Sequence, residues 1–181
     1  MILKRIAIDM DEVMADTIHK SLLVFNEKFN MHVTREDLTG AKLDHLFPHL
    51  EEEFNQIYNH PDFFRDLPVM ENCRETILEL SEHYEIVIAT AAMEVPGSFQ
   101  AKYEWLKEHF EFLDDQYFVF CGNKSVIQAD FLIDDNIYQL NSFKNQGILY
   151  TAEHNINEEY NVRCNDWFEI KKYFMDSLAQ L

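Results

Sequence analysis

Five short apolar runs constrain this chain more than any other feature. They are Ile6-Ala7-Ile8, Ile86-Val87-Ile88-Ala89, Tyr117-Phe118-Val119-Phe120, Phe131-Leu132-Ile133 and Ile148-Leu149-Tyr150. Each is short and apolar throughout, which reads as a strand buried on both faces. Helical patterns lie between them: Cys73, Ile77, Leu80 and Tyr84, then Phe99, Tyr103, Leu106 and Phe110, then Trp167, Ile170, Phe174 and Leu178. Strands alternating with helices predict an α/β fold, a Rossmann-like parallel sheet flanked by helices.

One interval breaks the alternation. The first strand ends near Asp9 and the next begins near Glu85. A crossover between parallel strands needs only about a dozen residues, and long structureless loops are uncommon in compact domains. The intervening patterns (Leu22, Leu23, Phe25, Phe29, then Leu50, Phe54, Ile57, Tyr58) are helical. We therefore expect residues 17–66 to form a small helical cap inserted after strand one, with residues 1–16 and 67–181 making the α/β core. Pro61-Asp-Phe-Phe-Arg-Asp-Leu-Pro68 reads as the return from the cap.

Charge narrows the function classes. With 15 Lys and Arg against 33 Asp and Glu, the 181-residue chain carries a formal charge of −18. So acidic a chain repels a nucleic-acid polymer. A small phosphate ligand would meet the same repulsion unless a cation or a nest of donors received it. Hydrophobic residues make up 47% of the chain, enough for a real core, yet no apolar run approaches the roughly 20 residues of a membrane helix. Three scattered cysteines form neither a disulfide framework nor a metal knuckle. The expectation is a soluble cytoplasmic protein without membrane partners.

In open parallel sheets, ligands bind at the carboxyl ends of the strands. Strand one delivers Asp9-Met10-Asp11-Glu12 there, the second delivers Thr90-Ala91-Ala92, and the fourth delivers Asp134-Asp135-Asn136, preceded by Gly122-Asn123-Lys124. Carboxylates, a hydroxyl and an ammonium are thus expected on one rim. Crowded carboxylates need a compensating cation, and hard oxygen donors suit Mg²⁺. Acids just past a strand often serve only as caps or turn formers; two such pairs, with a Thr and a Lys ordered between them, favour a site.

Asp9-Met-Asp11-Glu-Val-Met-Ala-Asp16, a hydrophobic strand ending in Thr90, Lys124, and Phe131-Leu-Ile-Asp134-Asp135 resemble the motifs of the haloacid dehalogenase superfamily. Within it the chain resembles the 5′(3′)-deoxyribonucleotidases, the cytosolic type C 5′-nucleotidase family. Phe63-Phe64-Arg-Asp-Leu-Pro68, Lys102-Tyr-Glu-Trp-Leu106 and Ala129-Asp-Phe-Leu-Ile-Asp-Asp135 add to that likeness. The resemblance implies two-step hydrolysis of a phosphomonoester, a nucleoside monophosphate being the favoured substrate. By it, Asp9 is the nucleophile and Asp11 the acid and base. Thr90 and Lys124 contact the phosphoryl group. Mg²⁺ is held by Asp9, the Asp11 carbonyl and Asp135, with Asp134 acting through water. The chain departs from the family at four positions. Glu12 stands for the usual Gly, Thr17 for an aromatic, Ala91 for Ser and Gly122 for Arg. The catalytic set is kept while presumed substrate contacts differ.

Two other readings compete: a superfamily phosphatase or phosphotransferase acting on a sugar phosphate, and a non-catalytic receiver-like phosphoacceptor. In receivers the acceptor Asp ends the third strand, whereas here a second acidic pair follows the Lys. His45 and His49 are four apart, but Pro48 between them argues against one helix carrying both. Cys121 reads as a buried structural thiol, and Phe63, Phe64, Tyr103 and Trp105 read as core, with Phe63 or Phe64 the candidates to touch substrate. Asp16 reads as a support for the turn after strand one. The C-terminal helix could pack on the sheet or mediate a homodimer.

Overall fold

The structure, a computed structural model, describes residues 3–178. Its strands are β1 (Arg5–Ile8), β2 (Glu85–Thr90), β3 (Phe118–Phe120), β4 (Phe131–Asp134), β5 (Gln146–Tyr150) and β6 (Arg163–Cys164). They form one sheet in the order β3-β2-β1-β4-β5-β6, with every neighbouring pair parallel. The five apolar runs are therefore strands, and the sheet is the α/β one expected. The sixth strand is an addition to that expectation.

Side chains alternate across the sheet because the strand period is two. Ile6, Ile8, Ile86, Ile88, Ile133 and Ile148 point to one face, where they join Ile77, Trp105, Trp167, Ile170 and Phe174 in the main core. Ala7, Val87, Ala89, Leu132 and Leu149 point to the other and meet Leu140 and Phe143. Helices α4 (Cys73–Leu80), α5 (Phe99–His109) and α7 (Trp167–Leu178) thus cover the first face, while α6 (Ile137–Ser142) covers the second. The C-terminal helix spends its apolar face on this core: Trp167, Ile170 and Phe174 are fully buried. The Trp167 indole also donates 2.7 Å to the Val13 carbonyl, tying α7 to the loop after β1.

The expected face of α5 needs correction. Tyr103 is 41% exposed, and the buried face is Ala101, Lys102, Trp105 and Leu106. Tyr103 lays its hydroxyl on Asp115 at 2.8 Å, so its polar tip stays at the surface. Leu23, grouped with Leu22 in the helical pattern, is likewise exposed.

Between β1 and β2 the chain forms α1 (Thr17–Phe29), α2 (Leu43–Leu46) and α3 (Glu51–Tyr58), joined by 3₁₀ turns at Glu36–Leu38 and Pro48–Leu50. These elements have a core of their own, with Leu22, Phe25, Leu38, Leu43 and Phe54 buried together. The Phe25 ring centroid lies 4.8–5.4 Å from those of Phe29, Phe47 and Phe54. The outgoing and returning chains run side by side: Met70 N–H donates to the Met14 carbonyl, and Asp16 N–H donates to that of Pro68. Among the described residues, no helix is long and apolar enough to cross a membrane.

Candidate active site

The strand order reverses between β1 and β4, since the chain leaves β1 in one direction and returns to its other side. A crevice opens outside the carboxyl ends of strands at such a point. Asp9 follows β1 there, and its N–H donates 2.9 Å to the Ile133 carbonyl of β4. Asp134 ends β4 and Asp135 follows it. Carboxylate oxygens of Asp9, Asp134 and Asp135 come within 4.8 Å of one another.

Lys124 enters this cluster from the 3₁₀ turn after β3. Its side chain is 1% exposed; Nζ lies 2.6 Å from Asp9 Oδ1 and is ion-paired with Asp134. One buried ammonium is therefore paired with two of the three buried carboxylates, while Asp135 feels the charges of Lys42 and Lys124 without an ion pair to either. Burial, reinforced by the neighbouring carboxylates, pushes Asp9 and Asp135 up to about 7 and Asp134 up to about 6. Burial alone would lower Lys124, but Asp9 and Asp134 outweigh it and hold the ammonium charged. The uncompensated negative charge and the all-oxygen donor set fit a hard divalent cation. Asp134 has both oxygens engaged, Oδ2 by Lys124 and Oδ1 by the Asn136 N–H at 2.9 Å. Asp9 and Asp135 are less fully used.

Asp11 is not part of the three-carboxylate cluster. Its Oδ2 is 2.5 Å from Lys102 Nζ, and its Oδ1 accepts from Thr17 Oγ1 at 3.2 Å. Lys102 also donates 3.1 Å to Thr90 Oγ1. That bond uses a lone pair of the hydroxyl and leaves the Thr90 proton free to point at an incoming oxygen. Lys102 was visible in the sequence only as the first residue of a motif, without a role. The signal for it was a Lys one turn before Trp105 and Leu106, on a helix stripe that otherwise buries apolar groups.

The loop that presents Asp9 and Asp11 is held by its own backbone. Met14 and Ala15 N–H both donate to the Met10 carbonyl, and Glu12 N–H donates to Ala15. This tight path puts Glu12 at φ 59°, the left-handed region that favours Gly. The Glu12 side chain is buried, and Oε1 accepts from Ile18 N–H at 2.7 Å in the first turn of α1. Burial drives its carboxyl well above the usual range. Asp16 supports the turn, as expected: it caps α1 by accepting from His19 N–H at 2.9 Å.

A cavity of about 400 Å³ opens over these groups. It is lined by Asp9, Asp11, Lys102, Lys124 and Asp135, and by Leu38, Leu43, Asp44, Asn55 and Tyr58 of the segment between β1 and β2. Phe64 lines it, with its ring centroid 4.5 Å from Lys102 Nζ. Phe63 does not reach it and packs edge-on against Tyr58 at 5.1 Å. Trp105 is core, its indole donating to Leu67. His45 and His49 are exposed, on either side of the Pro48 break, and form no cluster with the carboxylates. Cys121 is half-buried rather than fully buried.

The family model described as 5′ nucleotidase, deoxy (pyrimidine), cytosolic type C protein matches residues 2–180. A Staphylococcus epidermidis protein provisionally named 5′(3′)-deoxyribonucleotidase is 50% identical over 171 residues, 94% of this chain and 96% of that one. The 5′(3′)-deoxyribonucleotidase of Bacillus subtilis is 37% identical over 171 residues, 93% of this chain and 97% of its own. Among solved structures, a haloacid dehalogenase-like hydrolase of Streptococcus pneumoniae superposes with a TM-score of 0.66 at 14% identity, covering 95% of this chain and 98% of that one. A haloacid dehalogenase-type hydrolase of Bacillus subtilis, solved bound to magnesium, gives 0.61 at 14% identity, covering 97% and 100%. With a carboxylate-and-lysine rim on a fold shared with haloacid dehalogenase-like hydrolases, and a family model spanning nearly all of it, the chain belongs to the deoxy, cytosolic type C 5′-nucleotidase family.

Proposed function

We propose that this protein is a Mg²⁺-dependent 5′(3′)-deoxyribonucleotidase that hydrolyses nucleoside monophosphates through an aspartyl-phosphate. The observation that carries the reading is the meeting of Asp9, Asp134, Asp135 and the buried Lys124 in the lining of a cavity large enough for a small ligand. The names of the 37–50% identical relatives supply the substrate class.

Each side chain then has a task. Asp9 attacks phosphorus, and the ester oxygen leaves with a proton from Asp11. Asp11, now a carboxylate, takes a proton from the water that attacks the aspartyl-phosphate, and inorganic phosphate is released. Lys124 neutralises charge on Asp9 and the phosphoryl oxygens, which is most of what phosphoryl transfer asks of a protein. Thr90 donates to a phosphoryl oxygen. Asp9, the Asp11 carbonyl and Asp135 would hold Mg²⁺, with Asp134 acting through water. When bound, the ion supplies positive charge shared by nucleophile and phosphate.

Lys102 positions Asp11 and Thr90 at once. Lys102→Met should lower kcat about 10²-fold, within the range typical of disturbed acid–base catalysis. Steady-state kinetics that leave kcat within a factor of two of wild type would remove Lys102 from this role.

Residues 17–66 act in this reading as a cap over the cavity, excluding water during transfer. Family membership also favours a cytoplasmic setting. A receiver-like module is disfavoured because β3 runs out into Cys121-Gly122, with no carboxylate at its end. The deciding experiment is a phosphatase panel with Mg²⁺. Deoxynucleoside 5′- and 3′-monophosphates should be turned over faster than sugar phosphates, and a preference for sugar phosphates would move the assignment elsewhere in the superfamily.

The carboxylate cluster also predicts how Mg²⁺ stabilises the protein. Asp9 and Asp135 titrate near 7 when folded, against 3.8 for an ordinary Asp. Between those values the metal-free folded state binds more protons than the unfolded chain, so its stability falls as pH rises through the window. Mg²⁺ requires the deprotonated carboxylates and offsets that loss. At about 100 times its Kd, Mg²⁺ should raise Tm by about 5–10 °C near pH 8. It should raise it clearly less near pH 5. Equal shifts at both pH values in a thermal-denaturation series would contradict the assignment.

A further inference from the structure

Glu153, His154 and Asn155 form one 3₁₀ turn after β5, and each has different partners. Asn155 is fully buried and uses its whole hydrogen-bonding capacity. Nδ2 donates 2.8 Å to the carbonyls of both Asp135 and Tyr150, and Oδ1 accepts from Ala152 N–H at 3.2 Å and Arg163 Nη1 at 3.0 Å. His154 Nε2 lies 3.5 Å from Asp135 Oδ2. Glu153 looks the other way, toward the segment between β1 and β2. Its carboxylate pairs with Arg35, which also pairs with Asp16 at the start of α1. Its carbonyl accepts from Gly40 N–H at 2.8 Å. That contact needs glycine. Gly40 sits at φ 78°, and a Cβ there would stand 2.5 Å from Asn157 Nδ2.

We infer that this turn is the outer support of Asp135, and that it links the seating of residues 35–40 to the grip of Asp135 on a divalent cation. The inference depends on the reading that Asp135 binds that cation. Hydrogen-bonded neighbours of a metal ligand fix its orientation, and losing one commonly costs about 10–100-fold in metal affinity. A turn that merely closed the β5–β6 connection would account for the Arg163 contacts. It would not account for Asn155 holding the Asp135 carbonyl while His154 approaches the Asp135 carboxylate. The chain is continuous in function as well. Arg35 binds the residue before His154 and the residue that caps α1, so a shift of residues 35–40 pulls on the turn.

The test is isothermal titration of the whole protein with Mg²⁺ alone, without substrate, well below Tm. Asp135→Asn is the control and should abolish binding. Asn155→Ala should weaken Mg²⁺ by about 10–100-fold. His154→Ala should weaken it about tenfold, and His154→Gln, whose amide nitrogen falls near the lost Nε2, should recover most of it. Arg35→Met lies outside the carboxylate cluster and should weaken Mg²⁺ by about two- to fivefold, the size of two partly exposed ion pairs. If Asn155→Ala does not fold, the His154 and Arg35 variants decide. Wild-type affinity in either His154→Ala or Arg35→Met, with Asp135→Asn inactive in binding, overturns the inference and leaves the metal site standing. Wild-type affinity in Asp135→Asn overturns both.

Discussion

Asp9→Asn should abolish phosphatase turnover, by about 10⁴-fold or more, on the scale seen when a covalent nucleophile is removed, while leaving the fold as stable as before or more so. Activity and stability move apart for one reason. The Asp9 carboxylate is buried among like charges, a placement that serves the proposed chemistry and not the folding. Burial pushes it up to about 7, so keeping it ionised at neutral pH works against the folded state. Asn has the same shape without the charge, and Lys124 keeps Asp134 as its partner. The measurement pairs kcat on a deoxynucleoside monophosphate with Tm of the metal-free protein. Retained turnover would remove Asp9 as nucleophile. A Tm lower by several degrees would mean that the Asp9–Lys124 pair stabilises more than the crowding costs.

That pairing of function with local strain explains which parts of the molecule were legible in the sequence. Strands buried on both faces leave an uninterrupted apolar signature, and β1, β2, β4 and β5 carry it; β3 is apolar too, but it lies at the sheet edge and is only half-buried, contrary to the expectation for that run. Strand β6 pairs only two residues, Arg163 and Cys164, at the sheet edge within a polar stretch. Nothing in its composition separates it from a loop. Helix α6 has six residues, too few for a periodic pattern. The α5 stripe was misplaced because its buried face includes a charged residue, Lys102, while Tyr103 lies at the surface.

The same physics divides the site. Topology puts the residues after β1, β2 and β4 on one rim, so Asp9, Asp11, Thr90, Asp134 and Asp135 could be grouped from strand ends alone. Lys124, on the turn after β3, joins them as expected. Lys102 and His154 lie on elements that meet the rim only through tertiary packing, and no spacing announces them. Glu12 carried the opposite message. A left-handed backbone calls for Gly, and a buried carboxylate calls for a partner, yet Glu12 accepts both conditions. Its bond to Ile18 N–H, beside the Asp16 cap, fastens the loop after β1 to α1. Of the positions that depart from the family pattern, Glu12, Thr17 and Ala91 line the cavity. Thr17 spends its hydroxyl on Asp11 instead of presenting a ring to a ligand.

Lys124→Met should be the most damaging single change to the metal-free fold as well as to turnover. Met matches the length of the stem but removes the ammonium between Asp9 and Asp134, two carboxylates that are themselves almost wholly buried. Removing one partner of a buried ion pair typically costs about 3–5 kcal/mol, because the remaining charge is left without compensation. For a chain of this size that is a fall in Tm of about 6–20 °C. The loss has a direction in pH. Once Lys124 is gone, Asp9 and Asp134 can escape the penalty by taking up protons, so the deficit should be small near pH 5 and full near pH 8. Mg²⁺ should restore part of the lost Tm at the higher pH, since a divalent cation can replace the missing charge at Asp9. Adding Asp134→Asn to Lys124→Met should recover stability without recovering turnover, because it removes one orphaned carboxylate and returns nothing to the phosphoryl site. A pH-independent loss, or a double variant no more stable than the single one, would show that Lys124 acts through packing of its stem and not through its charge.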